Sequence, residues 1–366
     1  MTGTAALSTR RLEGVANARA EMFVAFGDEL NRARIPWCLL SGYENYPEPG
    51  DSDVDFMVGQ QDAARMTGLL QTVARRTGAL LVQAIQHETS AWYFVLARQV
   101  GDHVAYLHPD CSTDFRRDGR RWLCCGDLLA RRRKLGNVFV PAKPDEFLYY
   151  LIKKVLKQEI DEERLGRLRK LYVACPEECC ERLQRFWSAK SVRCTVSALF
   201  RANVSQMRRN LPSMRAELLA SPQVEGWLKR VVQRFRDWWR WVDRVMHPTG
   251  LNIAITGGTC QQLDELAEGL ENNLRRAFRR TRVLDDGGLA SAVWSWMARV
   301  RSTLVIRKLA SPSANMFGAS QVRFDLSGTP PNVEFATRVV LERMASRLSP
   351  GTDGVDVENF VVGIRV

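Results

Sequence analysis

Apolar residues recur at helical spacing between residues 9 and 33, and this pattern stops at Ile35-Pro36. A buried helical face needs an apolar residue every three or four positions, so the spacing predicts an amphipathic helix. Beyond it, short apolar runs alternate with turn residues. They predict strands at 37–40 and 52–58, a helix at 61–77, and further strands at 79–86, 91–98 and 102–108. This order of helices and strands indicates a mixed α/β domain.

Residues 144–246 carry mostly helical patterns. The first helix has Asp145 and Glu146 near its start, where the helix dipole favours negative charge. The last helix, at 224–246, spaces its apolar residues by four and three positions in turn, and lysines and arginines occupy its other faces. Such a helix could pack within its domain, form a homodimer, or make peripheral contact with a membrane surface.

A new unit begins after His247-Pro248-Thr249-Gly250, which ends the preceding helix. Its patterns predict strands at 251–256 and 302–306, helices at 263–280 and 333–348, and a Ser-, Gly- and Pro-rich loop at 308–332. We therefore expect three domains, with boundaries at 1–143 for the mixed-sheet domain, 144–246 for the helical domain and 247–366 for a second α/β unit.

The composition is that of an ordinary globular protein. With 366 residues, 45% of them apolar, the chain can fill two or three domain cores. Its longest apolar runs are far shorter than the roughly 18–20 residues that span a bilayer, and no secretion signal is evident at its start. The nine cysteines include no CxxC pair, which is typical of reduced thiols rather than a zinc site. We expect a soluble, cytoplasmic protein.

The net charge of +12 is unevenly distributed along the chain. Residues 144–246 contain 21 basic and 13 acidic residues, so eight of the twelve excess charges lie there. A basic region confined to one domain indicates a positively charged surface that borders the binding site of an anionic substrate. It does not by itself predict a nucleic-acid-binding protein.

The strongest chemical signal is Asp53-Val54-Asp55. Residues i and i+2 of a strand face the same side, so both carboxylates should project together. Two close carboxylates repel each other unless a cation lies between them, and oxygen ligands of this kind suit Mg²⁺. Asp110, at the end of the third predicted meander strand, is placed to complete a site for phosphoryl or nucleotidyl transfer.

These residues carry a family resemblance. Gly42-Tyr43-Glu44-Asn45-Tyr46-Pro47, followed by Ser52-Asp53-Val54-Asp55, resembles the hGYExxP and SDxD signature of nucleotidyltransferase-fold proteins of bacterial polysaccharide-biosynthesis loci, in the DNA polymerase β-like superfamily. Residues 108–117 are similar to that family's third-carboxylate segment, and the helix around Lys153 to its lysine-bearing helix.

The resemblance implies a nucleotidyltransferase that moves a nucleoside monophosphate from an NTP to a hydroxyl or phosphate acceptor such as a glycan. It implies Mg²⁺ (or Mn²⁺) bound by Asp53 and Asp55, with Asp110 as third ligand or base. The wider superfamily usually presents Gly-Ser in its phosphate-binding loop, whereas this chain has Ser41-Gly42. The residues expected to hold the nucleotide are Ser41, Gly42, Ser52 and Lys153.

The last domain resembles a degenerate thymidylate-kinase-like P-loop domain. Residues 248–257 are similar to the strand that leads into such a loop, but Leu263 stands where the phosphate-binding lysine would be. Asp264 stands where the metal-binding hydroxyl would be, and a carboxylate without that lysine repels a triphosphate. We expect this domain to have kept a packing role, with an altered ligand site as the other interpretation.

The sequence leaves a second functional hypothesis open, a catalytically decayed binding or scaffold protein. The Ser41-Gly42 order and the lost P-loop lysine favour it, whereas retention of all three aspartates opposes it. The run at 131–134 could attract phosphates or could be a solvated helix face. Of the four histidines, His108 is the one expected near the carboxylates.

Overall fold

In the computed structural model, the described residues are 2–48, 53–117, 120–220, 249–285, 302–309, 321–326, 331–348 and 360–362, with single positions at 231, 232, 235, 238–240, 242, 293, 294 and 298. They form a mixed sheet, a group of helices and a parallel sheet, which confirms the predicted α/β class. Among these residues, no helix combines the length and the apolar character needed to cross a bilayer.

The N-terminal region contains a six-stranded sheet and two helices. Its elements are α1 (Thr2–Arg32), β1 (Trp37–Leu39), β2 (Val54–Val58), α2 (Met66–Thr77), β3 (Leu80–Glu88), β4 (Ala91–Val100), β5 (His103–Leu107) and β6 (Pro109–Ser112). The strands lie in the order β1-β2-β6-β4-β3, and β5 also pairs with β4. All pairs are antiparallel except β2 with β6, which run parallel.

The apolar face of α1 packs against this sheet. Phe23, Phe26 and Leu30 are fully buried, and the Phe26 ring lies 4.9 Å from that of Phe56 in β2. Burial of each such side chain contributes roughly 1.5–3 kcal/mol, so this face anchors the helix. The helix predicted at 9–33 is therefore confirmed, and it begins earlier.

The predicted strand at 102–108 ends one residue early because the chain turns to a new partner at His108. β5 pairs with residues 96–100 of β4, whereas β6 pairs with residues 91–93 of β4 and with β2. β6 runs in the same direction as β5, but its neighbours in the sheet are different: it lies between β2 and β4. This insertion places Asp110 beside the first predicted site strand.

The segment between the sheet and the helices contains short elements that the sequence patterns did not predict. They are β7 (Asp114–Arg117), β8 (Arg120–Cys124), α3 (Cys125–Ala130), β9 (Arg133–Leu135) and β10 (Val138–Val140). β7 and β8 form one antiparallel pair, and β9 and β10 form another.

Five helices follow: α4 (Lys143–Lys157), α5 (Glu162–Ala174), α6 (Pro176–Gln184), α7 (Ala189–Phe200) and α8 (Val204–Ala220). They share one buried core and confirm the helical character predicted for this region. Most of the helix predicted at 224–246 lies outside the described residues. Its described positions are helical, and the side chains of Phe235, Trp238 and Trp239 are more than half exposed.

The described residues of the C-terminal region form a five-stranded parallel sheet, two helices and isolated helical positions at 293, 294 and 298. Its elements are β11 (Leu251–Thr256), α9 (Cys260–Leu274), β12 (Arg280–Asp285), β13 (Thr303–Leu309), β14 (Gln321–Asp325), α10 (Val333–Ser346) and β15 (Phe360–Val362). The strand order is β12-β13-β11-β14-β15. The helix predicted at 263–280 ends earlier, and the sequence patterns predicted neither β12 nor β14.

The two sheets share a hydrophobic core. Val82 and Val95, on the face of the N-terminal sheet opposite α1, cluster with Ile253 of β11 and with apolar residues of α9 and α10. The Tyr106 hydroxyl donates a hydrogen bond of 2.7 Å to the Asn273 carbonyl across this contact. The C-terminal unit therefore supports the back of the sheet whose edge carries the aspartates.

The turn that resembles a P-loop is closed by its own side chains. Thr259 caps α9 by accepting from the Gln262 amide, and the Gln262 side chain accepts from the Thr259 amide at 2.9 Å. Asp264 pairs with Lys308 at 2.5 Å. Two amides of this turn, those of Thr259 and Gln262, are thus satisfied by side chains of the turn itself.

Candidate functional site

Two neighbouring parallel strands bring the predicted aspartates together. Asp55 of β2 and Asp110 of β6 are register partners, and Asp53 lies just before β2. Adjacent strands are about 4.8 Å apart, so the two partner side chains emerge side by side. The sequence prediction that Asp110 joins the Asp53 and Asp55 pair therefore agrees with the geometry.

The Ser41-Gly42 loop lies directly on β2. The Leu40 amide donates to the Asp55 carbonyl at 2.7 Å, and the Ser41 hydroxyl donates to the Asp55 carboxylate. Gly42 has φ +81°, and a Cβ placed on it would meet the Asp53 carbonyl at 3.0 Å. Ser41 therefore holds a site carboxylate, and Gly42 permits the close approach of the loop.

Gly42→Ala should destabilise the protein by about 1–3 kcal/mol, because alanine is strained at this φ and its methyl group presses on the Asp53 backbone. The matched control is Gly101→Ala, at φ +60° with nothing within 4 Å of a built Cβ. Urea denaturation should show a larger loss for Gly42→Ala. Equal losses would show that the loop does not depend on this contact.

Lys153 of α4 reaches the same carboxylate. Its Nζ atom lies 2.5 Å from Oδ2 of Asp55, and the two side chains are 27% and 15% exposed. In this structure the Lys153 ammonium pairs with Asp55, and its contact with nucleotide phosphate stays a prediction. Ser52, the remaining predicted nucleotide contact, lies outside the described residues.

The carboxylates perturb one another electrostatically. Burial and the charges of Asp55 and Asp53 raise the pKa of Asp110 to about 8, although Lys153 opposes the shift. The pKa of Asp53 is also raised, by burial and then by Asp55, while a hydrogen bond from Tyr93 opposes that rise. Such repulsion between oxygen ligands is what a bound cation relieves.

The donor set fits a hard divalent cation in its chemistry. Asp53, Asp55 and Asp110 offer only oxygen atoms on one sheet edge, which suits Mg²⁺ or Mn²⁺. Within the described ranges, however, no three His, Cys, Asp or Glu side chains already form a closed metal-ligand group. Binding would therefore require Lys153 to leave Asp55 and the carboxylates to adjust around the ion.

Asp110→Asn should make the cation-free protein more stable at pH 8, by roughly 2–4 kcal/mol, and less so at pH 5. The folded state keeps the Asp110 proton up to about pH 8, whereas the ordinary pKa of this side chain is 3.8. Stability is therefore lost as pH rises between these values, and asparagine removes that loss. Urea midpoints at both pH values measure it, with the exposed Asp127→Asn as control. A difference in urea midpoint between Asp110→Asn and wild type that is the same at pH 5 and pH 8 would contradict the prediction.

Two further residues at the site were not predicted from the sequence. The Tyr93 hydroxyl of β4 lies 3.4 Å from Oδ1 of Asp53, and Nε2 of His87 in β3 lies 3.8 Å from Oδ1 of Asp110. Both precede Asp110 in sequence by many residues, and only the pairing of β4 with β6 brings Tyr93 there. No local sequence motif indicates that Tyr93 or His87 belongs to the site.

The His108 side chain lies in the contact between the two sheets. It is buried, stacks between Tyr93 and Tyr106, and its Nε2 atom lies 2.9 Å from the Arg276 carbonyl. Burial lowers its pKa to about 4, so the ring is neutral at physiological pH. His108 therefore supports the contact between the two sheets, and His87 is the histidine near the carboxylates.

The basic run at 131–134 lies at the end of α3 and in β9 rather than on a helix face, and two of its four residues pair with buried carboxylates. Arg131 makes two hydrogen bonds to Asp145, at 2.9 and 3.0 Å, and Arg133 pairs with Glu146 at 3.2 Å. Both acidic side chains are buried in the first turn of α4. This network fixes the start of the helix that carries Lys153.

Comparison with known proteins gives little further information. No protein-family model matches the chain, and no curated protein matches it. Among solved structures, the crystal structure of JHP933 from Helicobacter pylori has a TM-score of 0.26 and 11% sequence identity, covering 61% of this chain and 95% of that one. A likeness this weak carries no argument, and the candidate site rests on its own geometry.

Proposed function

We propose that this chain is a Mg²⁺-dependent nucleotidyltransferase that transfers a nucleoside monophosphate from an NTP to a hydroxyl or phosphate acceptor. The observation that carries the proposal is the pairing of Asp55 with Asp110 on adjacent parallel strands, with Asp53 at the same edge. The motifs that resemble nucleotidyltransferases of polysaccharide-biosynthesis loci supply the acceptor class, a sugar, sugar phosphate or lipid-linked glycan.

Asp53, Asp55 and Asp110 are the residues that would hold the metal. Bound Mg²⁺ or Mn²⁺ supplies stabilisation of the negative charge that develops on the phosphoryl oxygens during in-line displacement. Proton transfer and contact with the nucleotide phosphates would be carried out by side chains of this chain.

Asp110 is the candidate proton acceptor for the attacking hydroxyl. In the cation-free protein, burial and the charges of Asp55 and Asp53 raise its pKa to about 8, so it binds a proton readily, and His87 lies 3.8 Å from its carboxylate. Lys153 has a long, partly exposed side chain, so its ammonium can exchange Asp55 for a nucleotide phosphate. Ser41 keeps Asp55 oriented during that exchange.

The location of this activity would be the cytoplasm, where NTPs are abundant. All nine cysteines are free thiols, in agreement with a reducing compartment. The proposal therefore combines an NTP, a glycan-type acceptor and a cytoplasmic site of action.

A scaffold or binding role is the second candidate, and one observation favours it. Lys153 and Ser41 already satisfy Asp55, so this carboxylate has partners without a cation. Titration calorimetry with ATP, CTP, GTP and UTP, each with Mg²⁺, separates the two candidates. Absence of binding at millimolar concentration would favour the scaffold, whereas binding of one nucleotide would favour the enzyme.

The direct test is transfer of label from α-labelled NTPs, supplied one at a time with Mg²⁺, to a panel of glycans, sugar phosphates and nucleotide sugars. We expect one NTP and one acceptor class to give a labelled product that requires the divalent cation. Absence of labelled product across the panel, with a nucleotide shown to bind, would count against the proposed reaction.

A further inference from the structure

An arginine-lined cavity lies beside the candidate site but is separate from it. It has a volume of about 450 Å³ and is bounded by residues of β8, α3, α4 and α6. The Phe115 ring packs 4.9 Å from the ring of Tyr149 and 6.4 Å from that of Trp122 in the cavity wall, and the Tyr149 ring lies 5.7 Å from the ammonium of the site residue Lys153. Asp53, Asp55 and Asp110 do not line the cavity.

The cavity wall has an excess of positive charge. Its four arginines are Arg121, Arg131, Arg182 and Arg185, and its two carboxylates are Asp127 and Asp145. The formal balance is therefore +2. A volume of this size falls within the range of small-molecule sites, which are about 300–1,000 Å³.

Asp145, the buried carboxylate of the cavity wall, already accepts hydrogen bonds from two arginines of the same wall. Asp145 accepts two hydrogen bonds from Arg131 and one of 3.1 Å from Nε of Arg182, so both its oxygens are used. Arg182 is itself nine-tenths buried and bonds here through Nε, which leaves its terminal nitrogens for another acceptor. Asp145 therefore fixes two guanidinium groups without neutralising the rest of the wall.

The other two arginines are weakly engaged. The nearest carboxylate oxygen to Arg121 belongs to Asp114, at 3.8 Å, beyond hydrogen-bond distance. Arg185 is exposed and makes no ion pair within the part of the chain that the structure describes. These two guanidinium groups are available to a ligand.

The remaining wall is apolar and partly aromatic. Trp122 and Phe186 are buried, and Leu128 and Leu148 lie beside them. We propose that this cavity binds a small organic phosphate, with its phosphate held by Arg121, Arg185 and Arg182 and its apolar or planar body against Trp122 and Phe186. Guanidinium groups match phosphate oxygens in geometry and charge, and aromatic walls suit a planar body.

The test is titration calorimetry of the full chain with phenyl phosphate in the presence of EDTA, which removes cation-dependent binding at the aspartates. Wild-type protein should bind phenyl phosphate more tightly than inorganic phosphate, and phenol should give no binding. The double variant Arg185→Gln with Arg121→Gln should bind phenyl phosphate at least about tenfold more weakly, since each lost charged hydrogen bond costs about that factor.

Two matched variants test whether the binding belongs to this cavity. Arg193→Gln with Arg201→Gln removes the same charge from exposed positions in and just after α7, outside the cavity, and should leave the affinity unchanged. Asp53→Asn with Asp55→Asn should leave it unchanged too, whatever the outcome of the transfer assay. Unchanged affinity in the Arg185 and Arg121 variant, absence of binding at millimolar concentration, or loss of binding in the aspartate variant would each overturn the proposal.

Discussion

Replacing Asp53 and Asp55 together by asparagine should abolish transfer of an α-labelled nucleoside monophosphate and leave the fold intact. Asparagine keeps the side-chain shape but offers neutral oxygens, so charge stabilisation at the reacting phosphate is lost. Removing preorganised electrostatic groups of this kind costs on the order of 10²–10³-fold or more in rate. The Lys153 side chain is 27% exposed, so losing its partner should be tolerated.

The measurement is the initial rate of label transfer, taken together with a urea midpoint that checks folding. The control removes two exposed carboxylates elsewhere, Asp102→Asn with Glu268→Gln, and changes the net charge equally. The control should retain its rate. Undiminished labelling by the Asp53 and Asp55 variant would falsify the proposed role of these residues.

Asp145→Ala should cost about 3–5 kcal/mol of unfolding free energy, the largest stability effect that we expect. The substitution leaves Arg131 and the buried Arg182 without their shared carboxylate, and an unpaired buried charge is strongly destabilising. Because Asp145 lies in the first turn of α4, the helix that carries Lys153 should be loosened with it.

Asp161→Ala provides the comparison for Asp145→Ala. Asp161 is a carboxylate too, but it is partly exposed and caps α5 by accepting from the Arg164 amide at 2.8 Å. Its loss should cost only about 1 kcal/mol. Urea denaturation followed by circular dichroism measures both variants. Similar losses would show that the buried ion pairs at α4 contribute no more than an ordinary helix cap.

Asp145, in the buried ion-pair network, and Asp110, in the candidate site, have opposite effects on stability. Asp145 is neutralised by two arginines, and its removal should destabilise the fold. Asp110 is crowded by Asp55 and Asp53, and its removal should stabilise the fold at high pH. Mutual repulsion among carboxylates at one sheet edge is a feature of sites shaped for a ligand rather than for stability.

Much of the architecture follows from local sequence patterns. The periodicity of α1, the short apolar run of β1 and the strand that carries Asp55 all appear in the fold, with Asp53 just before that strand. These elements depend on residues close in sequence, through burial of one helical face or alternation along one strand. The three aspartates could be chosen in advance because each lies at a strand end where carboxylates have no packing role.

Other features depend on contacts between distant residues, and local pattern could not supply them. The break at His108 exists because β6 pairs with β2 across more than fifty residues of chain, and the pairing of β4 with β6 then brings Tyr93 to Asp53. The run at 131–134 has the same composition whether it is solvated or paired. Only its packing against the first turn of α4 decides between the two.

The sequence by itself determined the α/β class and was enough to propose the three aspartates of the candidate site. The tertiary structure decided their neighbours: Lys153 and Ser41 on Asp55, Tyr93 on Asp53, His87 near Asp110, and the separate arginine cavity beside them. The physical reason is one of range. Helix and strand formation depend mainly on near neighbours along the chain, whereas charge pairing and cavity shape depend on which distant strands and helices come into contact.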